Sequence, residues 1–260
     1  MKLKLHTKFD KLKINRVKKI VIFTSDKFGL KIAKYLKNIK KYKIYFVVSK
    51  KNKQIKDEIE RLNSDVFIFY EDLIKKYSIS KFKRMNFDLL LSVYFNKILK
   101  EEIYKSAKKT INFHPSYLPH NKGCYPHVHG LLSGVGNGIT LHELDKRIDS
   151  GKIWVQKKVL PKFMENQEDY HKRLKNELFN LFKKNLELIL QNRIEAKKQI
   201  FRGNYNNKNS LLKFDKLILN KKYELKKLIL LLKAREFKLN SYAYFDYNKK
   251  RYKILLKILK

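Results

Sequence analysis

Cys124 is the only cysteine in 260 residues, so the chain cannot close an internal disulfide. The opening residues Met1-Lys-Leu-Lys-Leu-His-Thr-Lys8 lack the apolar stretch of a signal peptide. The uninterrupted apolar run Leu228 to Leu232 is far below the ~20 residues that a membrane-spanning helix needs. A reducing, cytoplasmic setting is therefore the expectation. No internal repeat is apparent. The first turn after a strand, Thr24-Ser-Asp-Lys-Phe-Gly29, lacks the G-x-G-x-x-G pattern that cradles a dinucleotide pyrophosphate, which argues against a nicotinamide dehydrogenase. Acidic residues are scarce, with 24 Asp and Glu against 62 Lys and Arg, giving a formal net charge of +38.

That charge sits on ordinary core material, since 43% of residues are hydrophobic and 13% aromatic, so a folded chain is expected. Such a field favours phosphate contacts with nucleic acid, or steers a polyanionic substrate toward the surface. Lysine is nevertheless scattered through every segment alongside Asn, Ile, Phe and Tyr, and no block is exclusively basic. An A/T-biased coding sequence produces the same pattern on solvated faces.

Hydrophobic periodicity alternates between strand and helix from Lys19 onward. Lys19 to Ser25 reads as a buried strand, and Phe28, Ile32, Tyr35 and Leu36 follow helical spacing. Ile44 to Val48 reads as a second strand and Gln54 to Leu62 as a helix with Ile55, Ile59 and Leu62 on one face. Val66 to Tyr70 reads as a third strand and Phe87 to Tyr94 as a fourth. Glu101 to Lys108 can be helical, and Thr110 to Phe113 reads as a fifth strand ending just before His114. This alternation implies an α/β domain with a Rossmann-like, mostly parallel sheet. Asn166 with Asp169 three residues on resembles a loose capping box, and Tyr170, Leu174, Leu178 and Leu181 mark one face of a long helix packed across that sheet. Between Phe201 and Ser210 the period breaks into Gly203 and four asparagines, so a boundary is expected there, with residues 1–202 and 203–260 on either side. The second part reads as a small α+β appendage, with a helix carrying Leu225, Leu228, Ile229 and Leu232, then a hairpin of Ser241 to Tyr247 and Arg251 to Leu259 turning at Asn248.

The chemistry-bearing stretch is Ile111-Asn-Phe-His-Pro-Ser-Tyr-Leu-Pro119, followed by Gly123 and Pro126, then Gly138-Ile-Thr-Leu-His-Glu-Leu-Asp145 and Ile148-Asp-Ser-Gly-Lys-Ile153. Asn112 and His114 lie two apart at a strand end, so their side chains point to the same side. An imidazole that titrates near neutrality takes a proton from an attacking amine, and an amide N–H holds the oxyanion of a tetrahedral intermediate. Asp149 on its Asp-Ser-Gly turn is a candidate to orient His114 and stabilise its protonated form, a convergence that spacing alone does not show. Acyl transfer needs the imidazole and the amide, and the carboxylate would bring a third group to the reacting carbon.

Asn-x-His-Pro-Ser-x-Leu-Pro with a later Asp-x-Gly-x-Ile resembles the folate-dependent formyltransferases, which include glycinamide ribonucleotide, methionyl-tRNA and sugar-nucleotide N-formyltransferases. The family's Asn, His and Asp match Asn112, His114 and Asp149. The resemblance implies that N10-formyltetrahydrofolate is the co-substrate, with its pterin against Leu91, Ser92, Val93 and Tyr94 and against the turn through Arg147, Ile148 and Asp149. It covers residues 19 to 160 well. More loosely it reaches the tail, where Lys222-Tyr-Glu-Leu-Lys-Lys-Leu-Ile, Leu232-Lys-Ala-Arg-Glu-Phe and Tyr242-Ala-Tyr-Phe resemble sugar-nucleotide formyltransferases. The implied acceptor is a dTDP- or UDP-linked amino deoxysugar in surface-polysaccharide synthesis, with Lys122 and Tyr125 among its contacts. Relatives often carry Arg where this chain has Lys122 and an aromatic residue near His129.

Bland readings compete with several of these residues. His6, His142 and His171 read as surface or core residues. His114, His120, His127 and His129 suggest a metal cluster, but no acid or thiolate completes a recognised spacing, so no metal is expected. Cys124 near His127 is more readily a small packing residue than a nucleophile, and Lys122 in so basic a chain defaults to a solvated lysine. Tyr242, Tyr244, Phe245 and Tyr247 stack a nucleobase or, better, pack within the core or between two copies of the chain, so a homodimer is expected. The rivals are a methionyl-tRNA formyltransferase, which the charge favours although the last 58 residues do not read as a β-barrel, and a non-catalytic nucleic-acid-binding protein.

Overall fold

The computed structural model describes residues 16–61, 66–163, 165–238 and 240–258, so His6, Leu62 and Leu259 lie outside the described residues. The main unit runs β1 (Lys18–Thr24), α1 (Lys27–Asn38), β2 (Tyr42–Val48), α2 (Lys53–Glu60), β3 (Val66–Phe69), α3 (Tyr70–Leu73), α4 (Lys76–Arg84), β4 (Leu89–Val93), α5 (Glu101–Tyr104) and β5 (Thr110–His114). It continues through β6 (Lys122–Gly123), α6 (Pro126–Ser133), β7 (Gly138–His142), β8 (Ile153–Lys158) and α7 (Gln167–Leu190). Seven strands form one sheet in the order β3-β2-β1-β4-β5-β7-β8. The first five are parallel, and β7 and β8 are antiparallel additions at one edge. The fold is thus α/β with a mostly parallel sheet, as the alternation of elements implied.

Burial on both faces explains why β1 is an unbroken apolar run. Ile20 and Ile22 point into one core layer, where α1 and α7 contribute Ile32, Leu36, Tyr170, Leu174, Leu178 and Phe182. Val21 and Phe23 point into the other, beneath Tyr70, Leu73, Phe82 and Ile103 of the α3, α4 and α5 side. Asp26 caps α1 by accepting from the Phe28 N–H at 2.7 Å, and Asn166 caps α7 by accepting from the Asp169 N–H at 3.0 Å.

Several boundaries differ from the periodicity reading. The expected helix at Glu101 to Lys108 closes after Tyr104, and the fifth strand continues through His114 instead of stopping before it. Tyr94 leaves the fourth strand with a φ of 50°, a left-handed conformation. On α7 the face of Tyr170, Leu174 and Leu178 continues to the buried Phe182, while Leu181 is only partly buried.

Beyond Arg202 come β9 (Tyr205–Asn206), α8 (Leu225–Ala234), β10 (Glu236–Phe237), β11 (Asn240–Ser241), β12 (Tyr244–Tyr247) and β13 (Lys250–Lys253). β12 and β13 form the expected hairpin over a shorter span, with Asn248 and Lys249 both at positive φ, as a tight two-residue turn demands. Leu217, Leu232 and Ala243 make a small separate core, and the buried Arg235 guanidinium donates to Asp215 at 2.6 Å beside it. Among the described residues no helix is long and apolar enough to cross a membrane.

Candidate active site

β1 lies between β2 and β4, so the chain leaves it in both directions and the sheet has a topological switch point there. Ligands of such sheets bind outside the carboxyl ends of the strands near this point. β4 and β5 pair only up to Ser92 and Asn112, after which both strands reach beyond the ladder. Tyr94 and His114 therefore stand at the mouth of the sheet.

Asn112, His114 and Asp149 meet there. The strand's two-residue repeat puts Asn112 and His114 on one side, and the turn after β7 delivers Asp149 from 37 positions away in sequence. Asp149 Oδ2 lies 3.5 Å from His114 Nδ1 and accepts from the Gly123 N–H at 2.8 Å. Its Oδ1 accepts from Asn112 Nδ2 at 3.4 Å. Asp149 has a φ of 51°, a conformation unusual for a residue other than glycine, and Gln199 pins it there by donating to the carbonyls of both Asp149 and Gly151 at 2.9 Å.

The hydrogen-bond partners fix the proton positions. His114 Nε2 is 3.1 Å from the Asn121 carbonyl, which can only accept, so Nε2 carries the proton. In the neutral ring Nδ1 is then bare and faces the carboxylate, an arrangement relieved as soon as Nδ1 gains a proton. Burial pushes the pKa of this 4% exposed ring down, against the pull of Asp149. Burial also opposes ionisation of Asp149, but the facing His114 and His142 rings and the Gly123 N–H outweigh it, holding the carboxyl well below the usual range. The resting site is a neutral imidazole beside a carboxylate.

His142, read from the sequence as a surface or core residue, is buried beside this group. The antiparallel register places it directly opposite Asn112. Its Nδ1 donates to the Glu143 carbonyl at 2.7 Å, so Nε2 is free to accept from Asn112 Nδ2 at 3.0 Å. The alternation of Ile139 and Leu141 in Gly138 to His142 was the available signal for that strand. The nitrogens of His114 and His142 and a carboxylate oxygen of Asp149 lie within 4.8 Å of one another, a spacing a divalent ion accepts. The lone pair of His142 Nε2 is however already engaged by Asn112, and His120, His127 and His129 stand outside this group.

The remaining expected residues separate by exposure. Leu91 and Val93 are fully buried and Ser92 nearly so, Tyr94 is partly buried, and Arg147 and Ile148 are exposed on the turn. The Tyr94 hydroxyl bonds to His171 Nε2 at 3.1 Å, and the His171 ring stacks on His127 with centroids 4.2 Å apart. Burial lowers His171 to about 4, so this stacked pair stays neutral near pH 7. His127 is thus a stacking partner for His171 and not a base for Cys124. Lys122 is no solvated lysine: it is 8% exposed, and Nζ donates to Ser150 Oγ at 3.2 Å and to the Arg202 carbonyl at 2.9 Å. Burial, and then the Arg147 charge, lower its pKa. Tyr125, with a φ of 52°, opens α6 and is 47% exposed.

Residues 17–185 match the family model described as formyl transferase. The bifunctional polymyxin resistance protein ArnA of Wigglesworthia glossinidia brevipalpis is 31% identical over 174 residues, covering 65% of this chain. The chain spans 25% of the length of that curated relative. A 4-N formyltransferase from Francisella tularensis superposes with a TM-score of 0.78 at 25% identity, over 94% of this chain and 99% of that one. The formyltransferase PseJ from Anoxybacillus kamchatkensis, in complex with UDP-4,6-dideoxy-4-formamido-L-AltNAc and tetrahydrofolate, is 26% identical with a TM-score of 0.53, over 75% of this chain and 89% of that one.

Proposed function

Since the chain belongs to the formyl transferase family, we propose that it moves a formyl group from N10-formyltetrahydrofolate to the amine of a dTDP- or UDP-linked amino deoxysugar. The observation that carries this reading is the convergence of the Asn112 amide, the His114 imidazole and the Asp149 carboxylate at the end of β5. Similarity to the Francisella enzyme over 94% of the chain, and to PseJ with its nucleotide sugar and tetrahydrofolate, supports the choice of acceptor and donor.

N10-formyltetrahydrofolate supplies the formyl carbon and leaves as tetrahydrofolate. Backbone at Leu91 to Tyr94 and the exposed Arg147 and Ile148 fit a pterin and its tail at the switch point. As the amine nitrogen bonds to the formyl carbon, the carbonyl oxygen gathers charge that an Asn112 N–H stabilises. The weaker of the two Asn112 bonds, at 3.4 Å to Asp149, is the one released for this. His114 Nδ1 takes the amine proton, Asp149 holds the imidazolium, and the proton passes to the departing nitrogen. Tyr125 contacts the sugar nucleotide, while Lys122 acts from behind the turn through its positive charge.

The same proposal divides the chain at residues 1–202 and 203–260, and pairs two chains through a tail that leaves Tyr242, Tyr247, Tyr252 and Leu255 about half exposed. It sets the enzyme in the cytoplasm, on a route to surface polysaccharide. A tRNA acceptor is disfavoured, because the described residues past Arg202 form one α-helix, a short 3-10 turn and two-stranded ladders in place of a barrel.

The test is incubation with N10-formyltetrahydrofolate and a panel of nucleotide-linked amino sugars, each scored by mass for the gain of one formyl group. At least one sugar gains it, whereas formylation of initiator methionyl-tRNA alone overturns the acceptor. On the active sugar, Asn112→Ala lowers turnover by roughly 10²–10³, the range for losing an oxyanion donor. A thermal melt distinguishes this from unfolding: a large drop in melting temperature with turnover per folded molecule preserved assigns Asn112 to structure alone.

A further inference from the structure

The Asn-rich segment after Gly203 reaches back into the catalytic loop. β9 pairs in parallel with β6, matching Lys122 to Tyr205 and Gly123 to Asn206. The Lys122 N–H donates to the Asn204 carbonyl at 3.0 Å and the Cys124 N–H to the Asn206 carbonyl at 2.8 Å. Both glycines at this junction are obligatory. Gly123 has a φ of 89° and a Cβ there would sit 2.3 Å from the Asn206 carbonyl; Gly203 has a φ of 66° and a Cβ would sit 1.8 Å from the Pro119 carbonyl.

Asn204 grips Asn121 at two points. Its Oδ1 accepts from the Asn121 N–H at 2.8 Å, and its Nδ2 donates to Asn121 Oδ1 at 3.1 Å. Asn121 Nδ2 in turn donates to the Val135 carbonyl at 2.8 Å, so a side chain only 3% exposed has its polar atoms paired. The carbonyl of this clamped residue is the one that receives the His114 Nε2 proton.

We propose that Asn204 is a positioning residue, which clamps Asn121 so that the Asn121 carbonyl holds His114 in the tautomer whose bare Nδ1 faces Asp149. The proposal rests on the assignment of His114 as the proton acceptor. A carbonyl that drifts away from Nε2 no longer selects that tautomer, and the proton then divides between the two nitrogens. A cavity of about 420 Å³ lined by Asn121, Asn204, His129 and Phe214 borders the clamp. Shortening Asn204 therefore opens onto free space: Asn206 Nδ2, 3.5 Å from Asn121 Oδ1, remains on that oxygen, but the Asn121 N–H loses its acceptor.

The experiment compares the full-length protein with Asn204→Ala and Asn204→Asp, which keeps the acceptor for the Asn121 N–H. Long-range ¹H–¹⁵N spectra of the histidine rings, with His114 assigned by its loss in His114→Gln, read the tautomer without any substrate. The native protein and Asn204→Asp show His114 protonated at Nε2, and Asn204→Ala shows a mixture. Turnover of Asn204→Ala falls by up to about 10²-fold, the scale of a small misplacement of a catalytic group, with KM for both substrates within a few fold and the acid limb of the pH profile displaced. An unchanged His114 spectrum and pH profile in Asn204→Ala overturns the proposal, whatever happens to turnover. If Asn204→Ala does not fold, the same two readouts on Asn204→Asp and Asn204→Ser decide, and a native tautomer and pH profile in Asn204→Ser, whose hydroxyl is one bond short of the Asn121 N–H, overturns it. Failure of the acceptor panel would sink the sugar reading and leave the ring spectra standing on their own.

Discussion

Replacing His114 with alanine lowers turnover by about 10²–10⁴, the range for losing a positioned general acid–base group. The ring does no solvent-facing work, being 4% exposed, and its two nitrogens are directed at the Asn121 carbonyl and at Asp149. Its loss leaves that carbonyl and part of the carboxylate without a partner, which costs about 1–3 kcal/mol for a buried group, so a fall in melting temperature accompanies the loss of activity. The two effects separate in the pH profile. Burial holds the His114 pKa below its ordinary value, so kcat/KM of the native enzyme falls only once pH drops below about 6.5, when the base is protonated before the amine arrives. That limb disappears from the residual activity of His114→Ala. Steady-state kinetics from pH 5 to 8 decide the matter, and near-native turnover or an unchanged acid limb would show that the proton leaves by another group.

The sheet was legible because its parallel strands are buried on both faces and its helices on one, and apolar period reports burial directly. Ile20 to Phe23 and the α1 face Phe28, Ile32 and Leu36 are cases in point. α3 and α4 left no such trace, since a four-residue and a nine-residue helix hold too few turns for a period to emerge. β7 and β8 escaped because Gly138 to Ile153 drew a motif reading in which each polar residue was considered for chemistry and none for pairing. His142, buried as a core reading allows, looks like any lone histidine until its register against Asn112 is known.

Residues 203–206 illustrate a deeper limit. Glycine and asparagine make turns, and they also make buried amide contacts, so composition alone cannot separate a linker from a clamp. Lys122 is the converse case. In a chain with 62 Lys and Arg, the default of a solvated lysine is sound for most, and only the fold reveals one wedged between Ser150 and Arg202. Asn112, His114 and Asp149 were legible as a set because the motif pattern, not their individual types, singled them out; their distances came only from the fold.

Asp149→Asn keeps the side chain's size and removes its charge, and turnover falls by about 10³–10⁴, the scale seen when the carboxylate behind a catalytic histidine is replaced by an amide. Two losses combine. The imidazolium formed at His114 has no counter-charge, and the amide must present an N–H either toward the His114 ring and the Gly123 N–H, which share Oδ2, or toward the Asn112 amide at Oδ1. Stability carries a separate signature. The folded-state pKa of Asp149 lies below its unfolded value of about 3.9, so the unfolded chain binds the extra proton between those two values. The native stabilisation from this group is complete above the unfolded value and is lost as pH falls through the folded one. Urea melts at pH 2 to 7 therefore show a gap between native and Asp149→Asn proteins that is widest near neutrality and narrows in acid. A gap that stayed constant across this range would mean that the carboxylate's charge contributes nothing to the fold, and that Asp149 is held at its φ of 51° by Gln199 and the turn alone.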